Sequence, residues 1–130
     1  MKNLSGIVLL TILLLSCDNS VNSVTPEIGE PFKIKLGESV MFQQEDLNVR
    51  FDELLEDSRC PEGATCFWAG NGRIVIQLNE LKTELNTYLD PQDTTLSGYR
   101  LELKDLKPYP SLNKKINKED YTVELLLMKN

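Results

Sequence analysis

The sequence predicts an all-β domain, a small antiparallel β-sandwich or barrel of about seven strands carrying one intraloop disulfide. Three observations carry that prediction. From Phe32 onward, apolar residues recur with a period of two rather than 3.6. Gly, Pro, Asn and Asp punctuate the alternating runs at short intervals, as turns between strands require. No stretch carries the i, i+3, i+4 apolar stripe of a long amphipathic helix.

Ahead of the domain, residues 1–16 read as an export signal. Lys2 supplies a short positive start, and Ile7 to Leu15 form a core that is apolar except for Thr11. Nine residues rise only about 14 Å as a helix, too little for a hydrocarbon core of about 30 Å, so a cleaved signal is expected rather than a permanent span. Leu14-Leu15-Ser16-Cys17 resembles the lipobox of bacterial lipoproteins. The resemblance implies that Cys17 is acylated, as with palmitate, and becomes the new N-terminus. The chain is then held to a membrane of the bacterial cell envelope by lipid, facing outside the cytoplasm. Residues 17–31 are this lipidated cysteine and a polar stretch, DNSVNSVTPEIGEP, without apolar periodicity, expected to be a flexible tether. Residues 32–130 form a single β domain.

The strands follow in order. Phe32-Lys33-Ile34-Lys35-Leu36 alternates apolar with basic residues; Val40 and Phe42 continue after the Gly37 turn; Val49 and Phe51 alternate with Arg50 and Asp52. Arg73 to Asn79 follows a Gly-Asn-Gly turn and aligns Ile74, Ile76 and Leu78. Leu81, Thr83 and Leu85 make a partner strand, although that run also suits a helix. Tyr99, Leu101 and Leu103 form the next, and Tyr121, Val123, Leu125 and Leu127 the last.

The chain has three cysteines, an odd number that leaves a thiol over in an exported protein. Acylation of Cys17 removes the odd one and leaves Cys60 and Cys66 to pair. Pro61 and Gly63 between them suit a tight ring. A redox pair would favour Cys-x-x-Cys spacing and a zinc site would need four ligands, so a structural disulfide is expected over a reactive or metal-binding pair.

Around these cysteines runs Glu56-Asp57-Ser58-Arg59-Cys60-Pro61, then Cys66, then Trp68-Ala69-Gly70. This segment resembles the loop signature DSRCP-x4-C-x-WAG of a family of uncharacterised bacterial lipoproteins. The likeness extends over most of the domain, through Gly98 to Leu103, Pro108 to Pro110 and Asp120 to Val123. It implies a lipoprotein relative without implying an activity.

Arg59, Phe67 and Trp68 are the candidate binding residues. Arg59 stands between Asp57 and Glu62, where an internal ion pair or the capping of carbonyls is expected. Phe67 and Trp68 have two readings. In one, which the sequence favours, a ring plugs the end of the sandwich against the disulfide. In the other, both rings form an exposed tip for a partner.

Composition narrows the function. There is no histidine, which removes His-based triads and most zinc and haem sites. Without Lys2 the mature chain has 13 basic residues against 20 acidic ones, a formal charge of −7 on 114 residues, which argues against nucleic acid as a partner. The carboxylates Asp52, Glu53, Glu56 and Asp57 read as a solvated polar surface rather than a glycosidase pair. Asp90 to Thr95 lacks the pattern of a calcium loop. No metal, cofactor or catalytic activity is expected. The expected function is a non-enzymatic binding module at the cell envelope. The alternative is an inhibitor or immunity-type lipoprotein that neutralises a basic secreted protein, drawn to it by charge.

Overall fold

In Phe32-Lys33-Ile34 the alternation turns Phe32 and Ile34 inward and Lys33 outward, and Pro31–Lys35 forms strand β1. The same rule, one face buried and one solvated, builds β2 (Ser39–Phe42), β3 (Leu47–Asp57), β4 (Gly72–Leu78), β5 (Leu81–Asn86), β6 (Asp93–Leu96), β7 (Tyr99–Lys107) and β8 (Thr122–Lys129). The computed structural model describes residues 25–130. The expected signal peptide, Cys17 and the first part of the tether lie outside the described residues.

The strands make two antiparallel four-stranded sheets, ordered β1-β8-β7-β6 and β2-β3-β4-β5. Strand order is a meander. Neighbours in sequence are neighbours in space, except where the chain crosses between sheets at Leu36–Glu38 and at residues 87–92. Val49, Phe51, Ile74, Ile76 and Leu85 from one sheet meet Leu101, Leu106, Val123, Leu125 and Leu127 from the other, all fully buried. Burying each such side chain contributes about 1.5–3 kcal/mol, which makes this layer the main source of stability.

Three local expectations are corrected or settled. The acidic run Asp52 to Asp57 belongs to β3, not to a polar loop. Register shifts at Phe51/Glu53 and Leu54/Glu56 change which residues face inward. Residues 81–86 form a strand, because they pair along their length with β4. Asp93 to Leu96, where no strand is expected, pairs with β7 as an eighth strand, and Asp93 is ion-paired to Arg100.

The registers place the long connections, residues 58–71, 87–92 and 108–121, at one end of the sandwich. The opposite end holds the short turns 43–46, 79–80 and 97–98. Residues 25–30 approach there, where the Gly29 N–H bonds the Leu127 carbonyl at 2.8 Å.

Candidate functional site

The three-loop end is built on polar groups rather than on a hydrophobic plug. Where β3 stops, Ser58 and Asn71 close the loop between them. The Ser58 N–H donates to the Asn71 carbonyl at 2.8 Å, and the Asn71 N–H donates to Ser58 Oγ at 3.0 Å. Arg59, one residue on, turns inward and is only 6% exposed. Its Nε and Nη2 donate to the two oxygens of Asp57 at 2.7 and 2.8 Å. Nη1 donates to the Leu106 carbonyl at 2.6 Å, and Nη2 also to the Pro108 carbonyl at 3.0 Å. The Tyr121 hydroxyl donates to Asp57 Oδ2 at 2.8 Å. Asp57 ends β3, whereas Leu106 lies in β7 of the facing sheet and Tyr121 immediately precedes β8, so this cluster fastens the two sheets at the loop end.

The electrostatics follow from burial and pairing. Burial alone would raise the Asp57 pKa, but hydrogen bonds from Arg59 and Tyr121 outweigh it and hold the carboxyl below its ordinary value. Burial and the hydrogen bond to Asp57 push the Tyr121 phenol up to about 12. The Arg59 guanidinium also lies over the Tyr109 ring, 4.7 Å from its centroid.

Both expected internal roles of Arg59 are therefore present, with Asp57 rather than Glu62 as its partner. Four of its five guanidinium donors serve the protein's own oxygens.

Cys60 and Cys66 form the disulfide, with Cα atoms 5.9 Å apart. The ring they close folds against the 108–121 loop, where the Glu62 N–H donates to the Pro110 carbonyl at 2.9 Å. Phe67 is 100% exposed and Trp68 67%, so neither plugs the sandwich. The physical reason is twofold. Arg59 and Leu106 already occupy the end of the core. Gly70 then clamps the strand behind the two aromatics. It has φ +69°, and a Cβ there would fall 2.7 Å from Arg59 Cα and inside the Ser58 carbonyl. Its close approach turns residues 67 and 68 outward. Among the described residues, no hydrogen bond joins the main chain of Thr65 to Gly70 to the rest of the fold.

A buried amide pair organises the neighbouring loop, and sequence reasoning missed it. Asn71 Nδ2 donates to Asn86 Oδ1 at 2.9 Å, and Asn71 Oδ1 accepts the main-chain N–H groups of Tyr88 and Leu89 at 3.2 and 3.4 Å. Asn86 Nδ2 reaches the Pro91 carbonyl at 3.2 Å. The available signal was the Asn between two glycines at 70–72.

With these supports, Phe67, Trp68, Tyr88, Leu89, Tyr109 and Leu112 gather at one end. They are six of the nine exposed large apolar residues among the described ones, against Met41, Leu55 and Leu81 elsewhere. Two adjoining clefts, each of ≈ 270 Å³, run beside Trp68 and beside Tyr109 and share Ala69, Gly70 and Tyr88. On β3, Asp52 is paired with Lys82 and Arg50, Glu56 with Arg73 and Asp57 with Arg59, so three of the four carboxylates of the acidic run are held in ion pairs. Among the described residues, no cluster of three metal-ligating side chains is present.

Comparison with protein-family models, with characterised proteins and with solved structures finds no match to this chain.

Proposed function

We propose that the protein is a lipid-anchored, extracytoplasmic and non-enzymatic binding module of the bacterial envelope that contacts its partner through the three-loop end. The lipobox at Cys17 and the likeness of the 56–70 segment to bacterial lipoproteins support the anchoring. The observation that carries the binding reading is the full exposure of Phe67 beside Trp68 on a segment fastened on both sides. Aromatic side chains held rigidly in water cost free energy unless a partner covers them, and rigid aromatics are the residues that dominate binding interfaces.

Residues 25–30 reach the domain at the end opposite the aromatics, an arrangement that supports presentation of the tip away from the anchoring membrane. Glu27, Glu30, Glu45, Asp46 and Glu80 also lie at that opposite end. Charge steering toward a basic protein would therefore act away from the aromatic tip, which weighs against the inhibitor reading.

Two measurements test the proposal. Mature protein from cells should partition into detergent with acyl chains on Cys17, and Cys17→Ser should release it or stall it as precursor. A double variant, Phe67→Ser with Trp68→Ser, should keep its melting temperature and lose capture of an envelope component that the parent retains at low and high salt. Equal capture by both proteins would remove the three-loop end from the mechanism.

A further inference from the structure

We infer that the two adjoining clefts form a binding site for an oligosaccharide of pyranose rings with equatorial hydroxyls, with Tyr88 between neighbouring sugar subsites. The inference rests on the binding-module reading above and names the ligand class for the same end of the molecule.

A pyranose whose hydroxyls are equatorial has two apolar C–H faces and a polar rim. Its binder must supply flat aromatic surface and, around it, hydrogen-bonding groups. Both clefts meet that requirement. One has Trp68 with the Glu56 carboxylate, which accepts the Ser58 hydroxyl and pairs with Arg73 and keeps lone pairs for a further donor. The other has Tyr109 with the Asp105 carboxylate, paired with Lys107, and the Thr87 hydroxyl, which accepts the Gly72 N–H and keeps its own proton to donate. Tyr88 lines both. Both clefts are lined by Ala69 and Gly70, whose main-chain groups are not bonded within the described residues. At ≈ 270 Å³ each, they fall just below the roughly 300–1,000 Å³ that encloses a drug-sized ligand and leave room for one sugar ring apiece.

Buried groups position the segments that carry the exposed rings. Arg59 lies over the Tyr109 ring, Asn71 Oδ1 accepts the main-chain N–H of Tyr88, and Gly70, two residues after Trp68, packs against the Ser58–Arg59 main chain. Fixing the main chain in this way lowers the entropy lost when the rings stack on a ligand. A lipid surface suits this end less well. Unbonded main-chain groups of residues 65–70 would lose water in hydrocarbon with nothing to replace it, whereas sugar hydroxyls replace it directly.

Trp68 is the only tryptophan in the chain and reports on its own site. The mature lipoprotein in detergent is titrated with chitotetraose and with cellotetraose, and separately with vesicles of neutral phospholipid. At least one sugar is expected to shift Trp68 emission to the blue, saturating with half-effect between about 10 µM and 1 mM. Tyr88→Ala should weaken that binding at least about tenfold, while Leu81→Ala, at the far end, leaves it unchanged. No saturable shift with either sugar up to about 10 mM overturns the inference, and so does a shift that Tyr88→Ala leaves intact or one produced by vesicles alone. If neither sugar binds but envelope capture still depends on Phe67 and Trp68, the sugar site falls and the binding module stands. If capture is also independent of them, both fall.

Discussion

Asp57 and Arg59, separated by one residue, form a two-point ion pair of 2.7 and 2.8 Å whose side chains are 8% and 5% exposed. The pair is completed from the other sheet, by the Tyr121 hydroxyl and the Leu106 carbonyl. It joins the end of β3 to the facing sheet through polar contacts, while the aromatics of the same loop lie at the surface.

Removing one partner of a buried pair leaves the other charged and unpaired. Arg59→Ala is expected to destabilise the protein by about 3–5 kcal/mol, read from urea unfolding. Arg59→Lys should recover only part of this, because an ammonium cannot bridge both Asp57 oxygens and two carbonyls at once. A stability loss below about 1 kcal/mol in Arg59→Ala would show that the cluster does not fasten the sheets.

Stability should fall at both extremes of pH, for separate reasons. The Asp57 carboxyl sits below its ordinary value, so its contribution is complete above about pH 4 and is lost as pH falls through the lowered folded value. The Tyr121 phenol is raised from 10.0 to about 12, so its contribution is complete below pH 10 and is lost as pH rises through about 12. Denaturant midpoints measured from pH 2 to 12 check both slopes. Tyr121→Phe should flatten the alkaline one, and an unchanged slope in that variant would assign it elsewhere.

Gly70→Ala puts a methyl group into the Ser58 carbonyl at a left-handed backbone position. The expected cost is roughly 2–4 kcal/mol, from steric overlap and backbone strain together. Calorimetric melting of the variant measures it. An alanine tolerated without loss would mean that the segment moves freely over Arg59, and the clamp on Trp68 would be gone.

Trp68→Ala should change stability by no more than about 0.5 kcal/mol, since most of the ring is already in water. Its emission in the parent should be that of a solvated indole and should shift little on unfolding. A loss of about 3–5 kcal/mol is the signature of a buried plug and would contradict the exposed position.

Much of the architecture was legible because it depends on period. Ile74, Ile76 and Leu78, or Val123, Leu125 and Leu127, cannot all be buried in any element but a strand with one face inward. Cys60 and Cys66 were legible through arithmetic and spacing. Strand β6 was not, since Asp93-Thr94-Thr95-Leu96 has no inward apolar row and exists as a strand only because β7 offers it a partner. Nor was the eventual length of β3, whose bulges carry it through an acidic run that reads as a loop.

The sequence alone determined the fold class and the disulfide, because each follows from local alternation or from residue type at short spacing. Only the tertiary structure decided which residues of the 58–71 loop face inward. Arg59 and Trp68 are nine residues apart, and hydropathy assigns the charge to water and the indole to the core. The reverse holds. Asp57, Leu106 and Pro108 converge to satisfy the guanidinium, with Tyr121 bonded to Asp57, while the indole stays at the surface. Burial of a charge is decided by how many partners surround it, and partners 47, 49 and 64 residues apart in sequence meet only when the sheets close.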